Sequence, residues 1–317
     1  MTVLRAGSTK RSCCQESPVA ERQLGDWVLI RQVAEGNWTQ LYQAQAASAS
    51  PGSPPQYAVK TIRPQCVGSS IAQRILAREV EVARTVTHPH IVPVLAWQLR
   101  HEPQYIVMPW LEGVSLRDLL RRRSPLPTAE VLWLTRQIAE GLAALHAAGW
   151  IHADLKPENI IVNADYHVTL IDLGFCVRPA EIQDRRRVIA GTLNYIAPEW
   201  WTVDGRPDAR SDLFSLGIIL YEMLCGRRPF NAKTLDQLIA LHRSWPLPNA
   251  RTMRGTLPQE LVRLLRSLLA RIPERRPHSA TALIEVLYPL EIEFFTDRDY
   301  SATQELAGTK TALARHC

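Results

Sequence analysis

The run Ile151-His152-Ala153-Asp154-Leu155-Lys156-Pro157-Glu158-Asn159 gathers a carboxylate, an ammonium and a carboxamide into one short polar stretch. A strand-like Ile160-Ile161-Val162 and a turn follow, and then Ile171-Asp172-Leu173-Gly174 supplies another carboxylate. Hard oxygen donors suit Mg²⁺, the lysine can neutralise a phosphate in transfer, and a lone carboxylate can orient a hydroxyl or take its proton. Placed on loops at strand ends, these groups could share one phosphoryl-transfer site.

The elements that must position these groups can be read from periodicity. Residues 1–23 are polar, without period, and read as a loose arm. Strand-like runs follow at Trp27 to Ile30, Thr39 to Ala44, Tyr57 to Ile62, Ile91 to Trp97 and Tyr105 to Trp110, with an Ala/Ser/Pro/Gly loop at 46–56. Apolar residues at Ile71, Ile75, Leu76, Val80 and Ala83 predict a helix that stops before His88-Pro89. Beyond Gly113 helical patterns prevail, near 115–122, 128–148, 212–225, 235–242, 258–270 and 280–287. The reading is an α+β protein with a small sheet-rich part over residues 24–111, a larger helical part over 112–289 and a tail from 290 to 317.

Over residues 25–289 the chain resembles the eukaryotic-like serine/threonine protein kinases, including their bacterial members. The landmarks occur in that family's order: Tyr57-Ala58-Val59-Lys60, Glu79 ahead of His88-Pro89, the two loops above, Gly191-Thr192 leading to Ala197-Pro198-Glu199, then Asp212 and Arg276. The resemblance implies a two-lobed kinase fold, a five-stranded antiparallel sheet with one helix above a mainly helical lobe, and ATP with Mg²⁺ between them. It implies that Asp154 orients or deprotonates the acceptor hydroxyl, Lys156 offsets γ-phosphate charge, and Asn159 and Asp172 hold the metal. Lys60 would contact the α- and β-phosphates, held by Glu79. Met108 falls at the gatekeeper position; the Pro109 carbonyl and the Leu111 N–H would bind the adenine. Val33, Gly36, Leu41, Ala58, Leu116 and Ile161 would line the nucleotide site, although a plain core role is open for Leu41, Ala58, Leu116 and Ile161. Asp212 would hydrogen-bond the catalytic-loop backbone, and Arg276 would pair with Glu199.

Two departures from the family bear on function. The loop Val33-Ala34-Glu35-Gly36-Asn37-Trp38-Thr39 keeps only Gly36 of a G-x-G-x-x-G pattern, with Ala34 and Thr39 bringing Cβ atoms where backbone should approach phosphate. Trp38 could cap that loop or stand exposed. Ala153 replaces the arginine that, in most regulated relatives, receives an activation-segment phosphate, and residues 173–191 contain no Ser, Thr or Tyr. The expectation is a kinase not switched by phosphorylation of that segment, with Arg185-Arg186-Arg187 either solvated or meeting an acidic partner. Leu173 should plug the space under the small-lobe helix. Phe175, just after Gly174, occupies a position where in the family a large apolar residue accompanies a preference for serine, so the resemblance implies serine ahead of threonine as acceptor; Glu158 could meet a basic residue of the substrate or remain solvated.

Composition narrows the alternatives. The chain has 317 residues, 46% of them hydrophobic, and a formal net charge of +6, which fits a packed protein and not a disordered or strongly basic one. No basic stripe interleaved with aromatics suggests nucleic acid, and no apolar run suggests a membrane span or signal segment. Six scattered cysteines without metal-ligand or disulfide spacing suggest a reducing compartment, and the cytoplasm is the expected location. The partners expected are protein substrates bearing Ser or Thr. Two alternatives stay open: a pseudokinase or nucleotide-binding scaffold with a degraded glycine loop, and a small-molecule phosphotransferase.

Overall fold

The computed structural model describes residues 22–50, 52–182, 193–202, 205–244 and 257–297. The small lobe is one antiparallel sheet of six strands: β1 (Arg22–Leu24), β2 (Trp27–Glu35), β3 (Thr39–Ala46), β4 (Tyr57–Ile62), β5 (Ala96–Gln98) and β6 (Tyr105–Pro109), in the order β1-β2-β3-β4-β6-β5. Its two faces do different work. Because strand side chains alternate, Val59 joins Leu24, Leu29, Tyr42, Ala44 and Val107 in an outer cluster. Ala58, Lys60 and Ile62 take the other side, where Ala58, Ile62, Ile106 and Met108 belong to the core that continues into the large lobe. Helix α1 (Ser70–Thr85) is capped by Ser69, whose hydroxyl accepts from the Ala72 N–H, and it buries Ile75, Leu76, Glu79 and Val80.

The large lobe contains a three-stranded sheet, β7 (Val114–Ser115), β8 (Ile160–Val162) and β9 (Val168–Leu170), and six helices among the described residues. These are α2 (Leu116–Arg122), α3 (Thr128–Ala147), α4 (Ala209–Cys225), α5 (Leu235–Ser244), α6 (Gln259–Leu268) and α7 (Ala280–Asp297). Helix α4 is the axis of this lobe. Every residue from Ser211 to Leu224 is buried, and at Gly217 a Cβ would come within 2.8 Å of the Leu268 side chain on α6, so only glycine permits the close approach. Asp208 and Ser211 cap its start, and Gly226 ends it at φ 71°, a left-handed conformation that glycine adopts without strain. Among the described residues no helix is long and apolar enough to cross a membrane.

Three expectations are corrected. The sheet has six strands, not five, because Arg22–Leu24 folds back on β2, so the sheet begins inside the stretch read as an arm. The run Ile91 to Trp97 is a strand only at its end: Pro93 lacks an N–H, and Ile91 and Val92 instead meet Leu170 of the large lobe, with Val92 N 3.0 Å from Leu170 O. The tail does not begin at residue 290. Helix α7 runs through Pro289 to Asp297, Leu290 is buried, and Glu291 accepts hydrogen bonds of 2.9 Å from Arg136 on α3.

His242 on α5 makes the large lobe acid-sensitive. Its ring is buried among Phe230, Trp201 and Phe214, with centroids 4.4, 5.3 and 5.5 Å away. Burial, with Arg271 and Arg276 adding repulsion, lowers its pKa to about 4. The unfolded chain therefore binds this proton at a higher pH than the folded one, and stability must fall as pH drops from about 6.5 toward 4. The loss is about 3 kcal/mol across that window. In urea titrations at stepped pH, His242→Leu is expected to flatten this part of the stability profile relative to wild type.

Candidate active site

Lys60 reaches the cleft from β4 because the strand's alternation turns it to the same side as Ala58. Its ammonium pairs with Glu79 of α1 and lies 2.6 Å from Asp172 Oδ1. Glu79 is 1% exposed, and burial raises its pKa; Lys60 pulls the other way and the Asp172 charge adds to the rise. Burial also disfavours charge on the other two groups, but attraction wins: Lys60 is raised by Asp172 and Glu79, and Asp172 is lowered by Lys60 and Lys156. One cation is thus shared by two carboxylates that come from distant parts of the chain.

Asp172 sits between β9 and the turn Leu173–Phe175 with φ 66°, a left-handed conformation tolerated better by aspartate than by bulky residues. The strain is fixed from both sides. Leu173 is buried under α1 as expected, and a Cβ on Gly174 would come within 2.5 Å of Ile75 and 3.1 Å of Glu79. Helix α1 must therefore stay packed on this turn for Glu79 to reach Lys60.

The other half of the site hangs from α4. The Asp212 carboxylate accepts from the backbone N–H groups of His152 and Ala153 at 2.8 and 3.0 Å and lies 2.8 Å from His146 Nε2. Ala153 takes φ 62°, which turns the chain so that Asp154 enters the cleft. Asp154 is held by Lys156 Nζ at 2.5 Å and by Asn159 Nδ2 at 3.0 Å. Burial raises the Asp154 pKa while Lys156 opposes the rise, so this carboxylate is a better proton acceptor than an ordinary one. Asn159 ends the turn Pro157–Asn159, its carbonyl accepting from Ile171 N at 2.9 Å, and so joins the two loops.

The structure thus brings together Lys60, Glu79 and Asp172 as one set and Asp154, Lys156 and Asn159 as the other, and Asp172 is electrostatically coupled to both Asp154 and Lys156. Asn159 and Asp172 supply oxygen donors of the type Mg²⁺ prefers. No larger cluster of His, Cys, Asp or Glu suited to a metal occurs among the described residues. Mg²⁺ commonly takes one or two protein oxygens and completes its shell with phosphate and water.

The residues expected around the nucleotide divide by exposure. Ala58 and Met108 pair across β4 and β6 and are nearly buried. Val33, Leu41, Pro109, Leu111 and Ile161 are half-buried, and Gly36 is exposed. Leu116 is 0% exposed, so here it is a core residue without surface toward the cleft. Pro109 closes β6 opposite Tyr57, and the next residue, Trp110, donates to Gln56 O at 2.8 Å.

Several functional neighbours were not evident in the sequence. Arg63 clasps the β2–β3 turn: its guanidinium donates to Gly36 O at 3.0 Å and pairs with Glu35 at 2.5 Å, while its N–H donates to Trp38 O at 3.0 Å. Trp38 itself lies 6.0 Å, ring to ring, from Phe175, so it packs on the loop that carries Asp172 and does not stand free. Arg63→Ala is expected to raise KM for ATP about fivefold, with kcat nearly unchanged, in steady-state assays at varied nucleotide, since a partly exposed charged hydrogen bond is worth about 1 kcal/mol. Glu158 is half-buried and not an isolated solvated carboxylate. It pairs with Arg117 at 2.8 Å, and Arg117 also reaches Glu222 at 2.7 Å and Tyr195.

Farther along, Ala197-Pro198-Glu199 is held as expected: Arg276 meets Glu199 with paired contacts of 2.6 and 2.7 Å. Gly191-Thr192 and Arg185-Arg186-Arg187 lie outside the described residues.

The comparisons with known proteins agree with this arrangement. Residues 27–288 match the family described as the protein kinase domain. The serine/threonine-protein kinase PknD of Mycobacterium tuberculosis is 32% identical over 265 residues, covering 83% of this chain and 39% of PknD. The probable serine/threonine-protein kinase PkwA of Thermomonospora curvata is 32% identical over 266 residues, 83% of this chain and 34% of PkwA. The serine/threonine-protein kinase ULK3 of Xenopus laevis is 30% identical over 262 residues, 81% of this chain and 54% of ULK3. The chain spans between about a third and about half the length of these curated relatives. With the matched span covering both lobes and every residue of the cleft, the chain belongs to the protein kinase family, of the eukaryotic-like serine/threonine kind.

Proposed function

We propose that this protein transfers the γ-phosphate of ATP to serine, secondarily threonine, side chains of proteins. The observation that supports this most is the joining of two charged sets in one cleft, Asp154–Lys156–Asn159 from the large lobe and Lys60–Glu79–Asp172 from both. Asp154 orients the acceptor hydroxyl and takes its proton as the new oxygen–phosphorus bond forms. The bond between the γ-phosphorus and the bridging oxygen breaks, and ADP leaves. Lys156 offsets charge on the moving phosphoryl group, and Lys60, fixed by Glu79, holds the phosphates that stay behind. Asn159 and Asp172 would hold Mg²⁺, which supplies neutralisation of the phosphate oxygens.

The finer parts of the reading rest on particular residues. Phe175, half-buried beside Trp38, supports a preference for serine. Ala153 and the absence of Ser, Thr and Tyr from 173–191 support activity without phosphorylation of that segment. Protein acceptors are the expected partners, not nucleic acids or membranes, and the cytoplasm is the proposed location. Labelled γ-phosphate from ATP should appear on a generic protein acceptor, mainly as phosphoserine on hydrolysis of the product. Nucleotide binding without any transfer would instead favour the scaffold reading that the altered glycine loop, with Ala34 and Thr39, raises.

A further inference from the structure

Trp150, just before the catalytic loop, is wholly buried and is gripped by two arginines from different elements. Arg78 of α1 lies with its guanidinium 4.9 Å from the ring centroid, and Arg178, on the stretch that follows Asp172, lies 4.1 Å from it. The indole N–H is fixed by Thr85 Oγ1 at 2.8 Å, at the end of the same helix α1. Val177 and Ile151 exchange backbone hydrogen bonds of 2.9 Å in both directions, which docks this stretch onto the start of the catalytic loop.

Glu181 closes the arrangement. Both of its oxygens stand 3.1 Å from Arg78 Nη2, and Oε2 also accepts from the Arg178 N–H at 2.9 Å. Although partial burial opposes ionisation, the Arg178 amide and the Arg78 guanidinium hold its carboxyl below the usual carboxylate range, so it stays charged. Arg78 is the residue immediately before Glu79 and is further steadied by Glu81 at 3.1 Å. Glu181 is thus linked by contact to Arg78, and Arg78 through the α1 backbone to its chain neighbour Glu79, which pairs with Lys60.

An exposed ion pair alone contributes little. Here, however, the arginine is already immobilised by the indole and by Glu81, so little side-chain freedom remains to be lost when Glu181 binds it. The surrounding sequence offers no substitute: residues 173–191 carry no phosphorylatable side chain, and Ala153 offers no cation.

We propose that Glu181 is a permanent latch between the segment after Asp172 and helix α1, holding Glu79 on Lys60 without any added phosphate. The inference rests on the reading that the enzyme works without activation-segment phosphorylation. Glu181 is a positioning residue: it acts through Arg78 and α1, not on the reacting atoms.

The test uses phosphatase-treated full-length chain, with kcat and KM for ATP measured on a generic protein acceptor and α1 amide exchange followed by mass spectrometry. Glu181→Gln is expected to lower kcat about tenfold, in the range of ordinary coupling energies, with KM for ATP changed less than about threefold. Arg78→Met, which also removes the contacts with Trp150 and Glu81, should lower kcat at least as much, and the double variant should be no worse than Arg78→Met alone, because Glu181 acts through Arg78. Glu181→Asp should recover most of the rate. Amide exchange in α1 should quicken in Glu181→Gln while the thermal midpoint moves less than about 3 °C. Wild-type kcat in Glu181→Gln, or losses that multiply in the double variant, would overturn the latch. If instead treated wild type is inactive and regains activity on phosphorylation, the underlying reading fails, while α1 exchange, which needs no activity, still decides whether Glu181 holds the helix.

Discussion

Asp154→Asn is expected to reduce phosphate transfer about 10²- to 10⁴-fold in kcat, the usual contribution of a positioned general base, while leaving KM for ATP nearly unchanged. Asparagine keeps an oxygen to accept from Asn159 Nδ2, which now sits 3.0 Å from the carboxylate, so the loop should hold its shape. What is lost is the proton-accepting charge beside Lys156. Asp172→Asn should fail differently. Lys60 would keep Glu79 as its one carboxylate partner in the pair described above, and the metal would lose its anionic donor. Here KM for ATP·Mg²⁺ should rise and kcat fall by about 10²- to 10³-fold. Titrating Mg²⁺ separates the two variants: a shift of the half-saturating concentration is expected for Asp172→Asn only. Equal effects of both on metal dependence would contradict the division of labour assigned to the two carboxylates.

Removing one partner of the Arg276–Glu199 pair should cost about 3–5 kcal/mol of unfolding free energy, the penalty for leaving a buried charge without its counterion. The Arg276 side chain is 0% exposed and donates to both oxygens of Glu199. Beyond Glu199 it donates to Ala270 O and Arg210 O at 2.9 Å each, and it lies 4.9 Å from the Phe214 ring centroid. Glu199 also accepts from Ser211 Oγ at 2.6 Å. Arg276→Met and Glu199→Leu should each lower the urea midpoint strongly. The double variant Arg276→Met/Glu199→Leu should lose less than the two single losses combined, because no unpaired charge remains. Full additivity would mean that the pair does not act as a unit.

The chemistry-bearing residues were legible because each sits in a short motif whose local geometry is set by its neighbours: Lys60 by strand alternation, Asn159 by the turn at Pro157, Asp172 by the strand that precedes it. Helix spans were legible for the same local reason; α3, expected at 128–148, is found at Thr128–Ala147. What could not be read was long-range. Arg63, Arg117 and Arg78 look like any surface arginine until the chain folds, since their partners lie far away in sequence: Glu222 is 105 positions from Arg117, and Glu181 is 103 from Arg78. The misread strand at Ile91 and the unforeseen extension of α7 share this cause. Leu170 captures the first, and Arg136 and the core under Leu290 stabilise the second, so packing overrides the local signal.

The stitch of Ile91 and Val92 to Leu170 has a mechanical consequence. The chain also passes between the lobes at Gly113, where φ is 140° and a Cβ would strike the Val162 carbonyl. With α1 packed on the Leu173–Phe175 turn as a further tie, the upper body is anchored to the lower one on more than one side of the cleft and does not hang from a single strand.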